Sequence, residues 1–163
     1  MDPPAICPLV LDTNIVLDLL VFGDPAVRSL RVALDDGHAH WLVTADMRSE
    51  LARVLAYPQL AARLPAGSGA AGGVLAQFDR LSRQVAAAPP AAVRCGDRDD
   101  QIFVDLAVAH RALLLSKDRQ VLRLCGRLAG LGVAVRAPPW TAGPASHTRR
   151  TVSDRLPQPR ELR

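Results

Sequence analysis

Short apolar runs that alternate with amphipathic helical segments place this chain in the α/β class, with a mostly parallel central sheet. Runs at residues 9–11, 41–43 and 113–115 have the length and apolar density of buried strands. The segments between them carry apolar residues at helical spacing, as βαβ units require.

Residues 6–11 form the first predicted strand, weakened at its start by Pro8. Asp12, Thr13 and Asn14 follow, and Ile15 to Leu17 with Leu19 and Leu20 predict a helix of a turn or two, N-capped by Thr13. Pro25 suits the first turn of a second helix that runs to about Asp35 and ends at Gly37. Residues 41–43 predict the next strand. Thr44 or Ala45 then opens a helix with Leu51, Val54 and Leu55 on one face, broken at Pro58, with a short helix through Leu64 after it. The Gly- and Ala-rich stretch 65–73 reads as a flexible connection, and 74–85 as an amphipathic helix. After Pro89 and Pro90 comes a weak strand at 91–94. The loop 95–99 leads into a strongly helical segment from Asp100 to about His110. Residues 113–115 form a buried strand, Asp118 opens a helix carrying Val121, Leu122 and Leu124, and 133–136 is a last strand.

With 163 residues, 49% of them hydrophobic and 22% charged, the chain has the size and composition of one domain with a sizeable core. The net charge of +4 is concentrated after residue 140, where five arginines face Asp154 and Glu161. This tail, 141–163, lacks apolar periodicity and is expected to be disordered or loosely attached. It can contact phosphates or simply remain solvated. Cys7, Cys95 and Cys125 show no metal-binding spacing, and no apolar stretch approaches a membrane span. The expected setting is the cytoplasm, with no membrane association.

Four carboxylates sit where predicted strands end or the following helices begin: Asp12, Glu50, Asp100 and Asp118. In an open parallel sheet, ligands bind at the carboxyl ends of strands. Capping is the plain structural role for Asp12 and Asp118, and a solvated helix face the plain one for Glu50. Asp97, Asp99 and Asp100 together exceed what capping one helix requires, so at least one should face the crevice. Asp105, about 140° around the helix from Asp100, is second to these or on the surface. Ser116 and Lys117 can contact phosphate from the loop before Asp118. Oxygen donors without sulfur, and with no histidine near them, suit Mg²⁺ or Mn²⁺ better than Zn²⁺. His38, His40, His110 and His147 show no paired spacing, so a Ser-His-Asp triad is unsupported.

Taken in order, Val10-Leu11-Asp12-Thr13-Asn14, Glu50 within 49–55, Asp97 to Ala107, and Leu114-Leu115-Ser116-Lys117-Asp118 resemble the motifs of PIN-domain nucleases. The likeness covers about residues 6 to 138 and is greatest to the bacterial branch described as toxins of toxin–antitoxin pairs. The resemblance implies an α/β/α sandwich over a PIN-like nuclease domain at 1–140, with the tail at 141–163. It implies endonucleolytic cleavage of single-stranded RNA by a metal-activated water at an acidic Mg²⁺ or Mn²⁺ site, with an antitoxin protein as partner and a homodimer as the common assembly. Residue by residue, Asp12, Glu50, Asp100 and Asp118 match the four family acids, and Asn14 matches a polar residue that orients the first. Ser116 matches the small hydroxylic or polar position before the last, and Asp97 is carried as a supporting acid. Two positions depart from the pattern: Gln120 where a further acid is frequent, and Lys117 where glycine is common.

Three other readings compete. A non-catalytic module of the same fold would bind RNA or protein without needing three repelling acids. A phosphatase with Asp12 as nucleophile usually needs a second Asp where this chain has Asn14, and a receiver domain needs paired acids after the first strand.

Overall fold

A computed structural model describes residues 6–64 and 69–141. Five parallel strands lie in the order β3-β2-β1-β4-β5. They are β1 (Cys7–Leu11), β2 (Ala39–Val43), β3 (Ser82–Gln84), β4 (Leu113–Leu115) and β5 (Val135–Arg136). The helices are α1 (Thr13–Leu17), α2 (Arg28–Asp35), α3 (Ala45–Leu55), α4 (Pro58–Ala61), α5 (Ala70–Leu81), α6 (Gln101–His110), α7 (Arg119–Leu122) and α8 (Cys125–Ala129). From β1 the chain winds outward through β2 to β3, then crosses back to β4 and on to β5. Right-handed crossovers in opposite directions put α1–α5 on one face and α6–α8 on the other. The result is the predicted three-layer α/β/α sandwich.

The direction of winding reverses between β1 and β4, which pair in register from Leu9 with Leu113 to Leu11 with Leu115. A crevice opens at the carboxyl ends of such neighbouring strands. Both strands supply fully buried side chains: Leu9, Val10, Leu114 and Leu115 are 0% exposed. On one face Trp41 meets Phe78 edge-on, with ring centroids 4.9 Å apart. In α6, Phe103, Val104, Leu106 and Ala107 are buried.

Several sequence expectations shift. The N-cap of α1 is Asp12 rather than Thr13, since the Asp12 side chain accepts from Ile15 N at 3.0 Å. The helix then loosens into a π-turn over Asp18–Phe22. The flexible connection expected at 65–73 is helical from Ala70 onward; residues 65–68 of that expectation lie outside the described residues. The amphipathic helix of 74–85 stops at Leu81. Ser82 turns extended with its hydroxyl donated to Phe78 O at 2.6 Å, and the next residues pair with β2 as an edge strand. That edge is polar and was invisible to apolar patterning.

No strand forms at 91–94, because side chains of α6 take the backbone groups a ladder would use. Asp105 accepts from Ala91 N at 2.8 Å, while Gln101 donates to Val93 O at 3.1 Å and accepts from Cys95 N at 2.6 Å. Asp105 is thus a brace for the loop before the acids. The end of the domain also packs down. Trp140 is buried, and its carbonyl accepts a hydrogen bond from the Ser29 hydroxyl. Residues 142–163 of the predicted tail lie outside the described residues, as do 1–5 of the predicted domain.

Candidate active site

Asp12 leaves the end of β1 and is only 3% exposed. Its backbone N–H continues the sheet by donating to Leu115 O at 3.1 Å, which seats the carboxylate in the reversal crevice. One oxygen accepts from Ile15 N at 3.0 Å, and the other accepts from the Ser116 hydroxyl at the end of β4. Ser116 is fully buried and in turn accepts from Asp118 N at 3.0 Å. One hydroxyl therefore ties the first acid to the backbone of the fourth. Asp118 caps α7, accepting from Gln120 N at 2.7 Å, so the structural role foreseen for it is real. A monodentate cap of this kind still leaves the second carboxylate oxygen for a ligand.

Asp100 stands at the start of α6 without capping it by its side chain. Its carboxyl is pushed up to about 6, first by burial and then by the negative charges of Asp118, Asp97, Asp12 and Asp99. The Asp12 carboxyl is also raised, chiefly by burial. Hydrogen bonds from Ser116, Ile15 and Asn14 oppose that rise, and the charge of Asp118 adds to it. Three strand-end or helix-start acids distant in the chain thus act on one another across the crevice. Asn14 acts on Asp12 through its backbone N–H, and its side chain is exposed.

Glu50 is not among the charges that shift Asp12 or Asp100. It flanks the buried stripe Met47, Leu51, Leu55 of α3, half-buried, and its carboxylate is bonded to Arg53 one turn on. Arg53 is mostly exposed, and an exposed i,i+3 pair of this kind contributes about 0.3–0.5 kcal/mol. That is weak enough for a doubly charged ion to displace. Lys117 does not point freely at a phosphate. It pairs with Asp18, whose side chain is 9% exposed, at 2.5 Å. A buried carboxylate on the π-turn needs a counter-charge, and Lys117 supplies it, pinning the β4–α7 loop to the helix after β1.

Gln120, at the departure from the family pattern, lies against the loop of acids. A Cβ on Gly96 would sit 2.5 Å from its Oε1. Sequence reasoning missed this contact and the Asp18–Lys117 pair, because both join segments that apolar patterning and motif spacing leave unconnected.

Among the described residues, no group of three or more His, Cys, Asp or Glu side chains is arranged to hold a metal ion. The chemistry of the donor set nonetheless fits a hard divalent cation. The acids are oxygen donors, one buried and hydrogen-bonded, and their mutual repulsion is the strain that a cation between them relieves.

Comparison with known proteins agrees with this architecture. The chain is similar to the crystal structure of VapBC2 from Rickettsia felis bound to a DNA fragment from their promoter. The TM-score is 0.55 at 10% sequence identity, covering 80% of this chain and 98% of that one. No curated protein matches the chain. The family model for the PIN domain matches residues 8–120, a span from β1 to α7 that takes in Asp12, Glu50, Asp100 and Asp118. The chain belongs to the PIN domain family.

Proposed function

We propose that this PIN domain is a metal-dependent endoribonuclease that cleaves single-stranded RNA through a metal-activated water, and that it serves as the toxin of a toxin–antitoxin pair. The observation that carries the reading is the raised Asp100 carboxyl, lifted first by burial and then by the negative charges of Asp118 and Asp12 from other segments and of Asp97 in its own loop. Repelling acids kept together at a strand reversal are costly to folding unless a cation joins them in the working state.

Asp12, Asp100, Asp118 and Glu50 are the residues that would hold Mg²⁺ or Mn²⁺. When bound, such an ion lowers the pKa of a coordinated water and neutralises charge developing on a phosphodiester oxygen. The chain's own residues do the positioning. Ser116 and Ile15 N–H fix the Asp12 carboxylate by one hydrogen bond to each of its oxygens. The Lys117–Asp18 pair fixes the loop that carries Ser116 and Asp118. Family membership supports nuclease chemistry, and the fold shared with VapBC2 is consistent with an antitoxin partner. Among the described residues, no helix is long and apolar enough to cross a membrane.

A second reading, a non-catalytic PIN-fold module that binds RNA or protein, is favoured by one observation: the Glu50 carboxylate is engaged by Arg53. Purified protein incubated with single-stranded RNA and Mn²⁺ separates the two. The nuclease reading expects endonucleolytic fragments that disappear with Asp12→Asn. Cleavage unaffected by that substitution rejects the assignment, and no cleavage at all supports the binding module.

A further inference from the structure

Beside the acids the loop before α6 opens into a pocket of about 390 Å³ lined by Arg94, Cys95, Arg98 and Gln101. We propose that Arg94 and Arg98 form a phosphate-binding subsite that grips the RNA backbone next to the acidic crevice. This rests on the nuclease reading and names a contact for its substrate outside the acids.

Both arginines are exposed, and neither forms an ion pair with a described residue. Arg31, Arg48, Arg53 and Arg80 are paired with acids, whereas Arg94 and Arg98 share their unpaired state with other surface arginines such as Arg111 and Arg127. What sets these two apart is that they line one pocket beside the acids. Arg98 stays unpaired even with Asp97 and Asp99 beside it in sequence. Asp97 is occupied in its own turn, accepting from Asp99 N at 2.9 Å.

The backbone that carries the two guanidiniums is braced rather than loose. The Gln101 side chain holds Val93 O and Cys95 N on either side of Arg94, and it is itself held by donating to Asp105 at 2.8 Å. Gly96 abuts Gln120 of α7, which joins this loop to the Asp118 end of the crevice. Cys95, a wall of the pocket, lies within reach of the charges of Asp100, Asp118 and Asp97. The pocket therefore adjoins the acids.

A strand crossing the acids must carry its neighbouring phosphates past a surface that repels them. Two unpaired guanidiniums at the edge of that surface offset the repulsion, and the guanidinium fork matches phosphate oxygens. The contact is to the backbone, so it discriminates neither base nor sugar.

The test is binding of a fluorescein-labelled single-stranded RNA, read by anisotropy in EDTA across a salt series, so that no cleavage is needed. The double variant R94Q/R98Q is expected to bind about tenfold more weakly. The slope of log affinity against log salt is expected to fall by about 1.4, from about 0.7 per phosphate contact on a single strand. A DNA strand of equal length should lose as much. Arg111→Gln, at the opposite end of α6, controls for loss of charge in general and is expected to leave the slope unchanged. Both arginines are exposed, so the melting temperature should hold, and a circular-dichroism melt checks it. Affinity and slope equal to wild type in R94Q/R98Q overturn the subsite. So does a loss confined to capture of an acidic protein partner with RNA binding intact. Because the readout is binding without metal, failure of the nuclease reading, seen as cleavage insensitive to Asp12→Asn, remains a separate result.

Discussion

Replacing Ser116 with alanine removes a single oxygen atom from a position that is 0% exposed, and two hydrogen bonds go with it. The hydroxyl donates to the buried Asp12 carboxylate and accepts from Asp118 N. A hydrogen bond to a charged group contributes roughly 1.5–3 kcal/mol, and an orphaned N–H adds about 1 kcal/mol. The expected loss is about 3 kcal/mol near pH 8, or about 6–12 °C in Tm for a chain of this size. The loss depends on pH in a fixed direction. Folding raises the Asp12 carboxyl, so its contribution to stability is full below the unfolded value of 3.8 and is lost as pH rises through the folded value. Without Ser116, which opposes that rise, the folded value climbs further and the loss at high pH grows. At acid pH, below the folded value, the penalty should shrink toward that of a neutral hydrogen bond, about 1 kcal/mol. Urea unfolding in EDTA at both pH values, for Ser116→Ala in wild-type and Asp12→Asn backgrounds, measures this. A coupling of about 1–2 kcal/mol between the two sites is expected at pH 8. A penalty that is the same at both pH values and in both backgrounds rules out the linkage.

Three other outcomes are expected. Asp100 is held at about 6, so the metal-free protein should be most stable below pH 4 with respect to this group and lose that stability as pH rises through 6. The two-unit rise corresponds to about 3 kcal/mol, discounted to about 1 kcal/mol for a partly exposed group; Asp100→Asn should flatten the urea midpoint between pH 5 and 7.5. Glu50→Gln should reduce RNA cleavage by about 100-fold or more with the Tm unchanged within about 1 °C, whereas Arg53→Ala should leave cleavage within about threefold, because the pair it breaks is weak. Lys117→Met leaves the buried Asp18 carboxylate without its partner and should lower stability by about 1–3 kcal/mol, read from thermal melts, without abolishing RNA binding.

How far the sequence could be read depended on whether a feature was local. Residues 9–11, 41–43 and 113–115 declared themselves as strands because a buried strand must be apolar, and Thr44, Pro58 and Gly37 marked helix ends by their own stereochemistry. The edge strand Ser82–Gln84 is polar and short, so it was absorbed into the preceding helix. Residues 91–94 looked like a strand until Gln101 and Asp105 claimed their backbone groups from a different element. The same division runs through the site. The acids could be picked out by position along the chain. The role of Lys117 could not, because it depends on Asp18, about a hundred residues away, being buried against it. The Glu50–Arg53 pair lies within one helix turn, yet the sequence offered Glu50 two orientations and no means to choose between them.

Whether the carboxylates share an ion is decided by equilibrium Mn²⁺ binding, read by electron paramagnetic resonance in wild type, Asp12→Asn, Asp100→Asn and Glu50→Gln. Wild type is expected to bind one ion per chain, with affinity lowered by about 30-fold or more in each variant. Mn²⁺ affinity unaltered by Asp12→Asn and Asp100→Asn would show that these carboxylates do not hold a common ion.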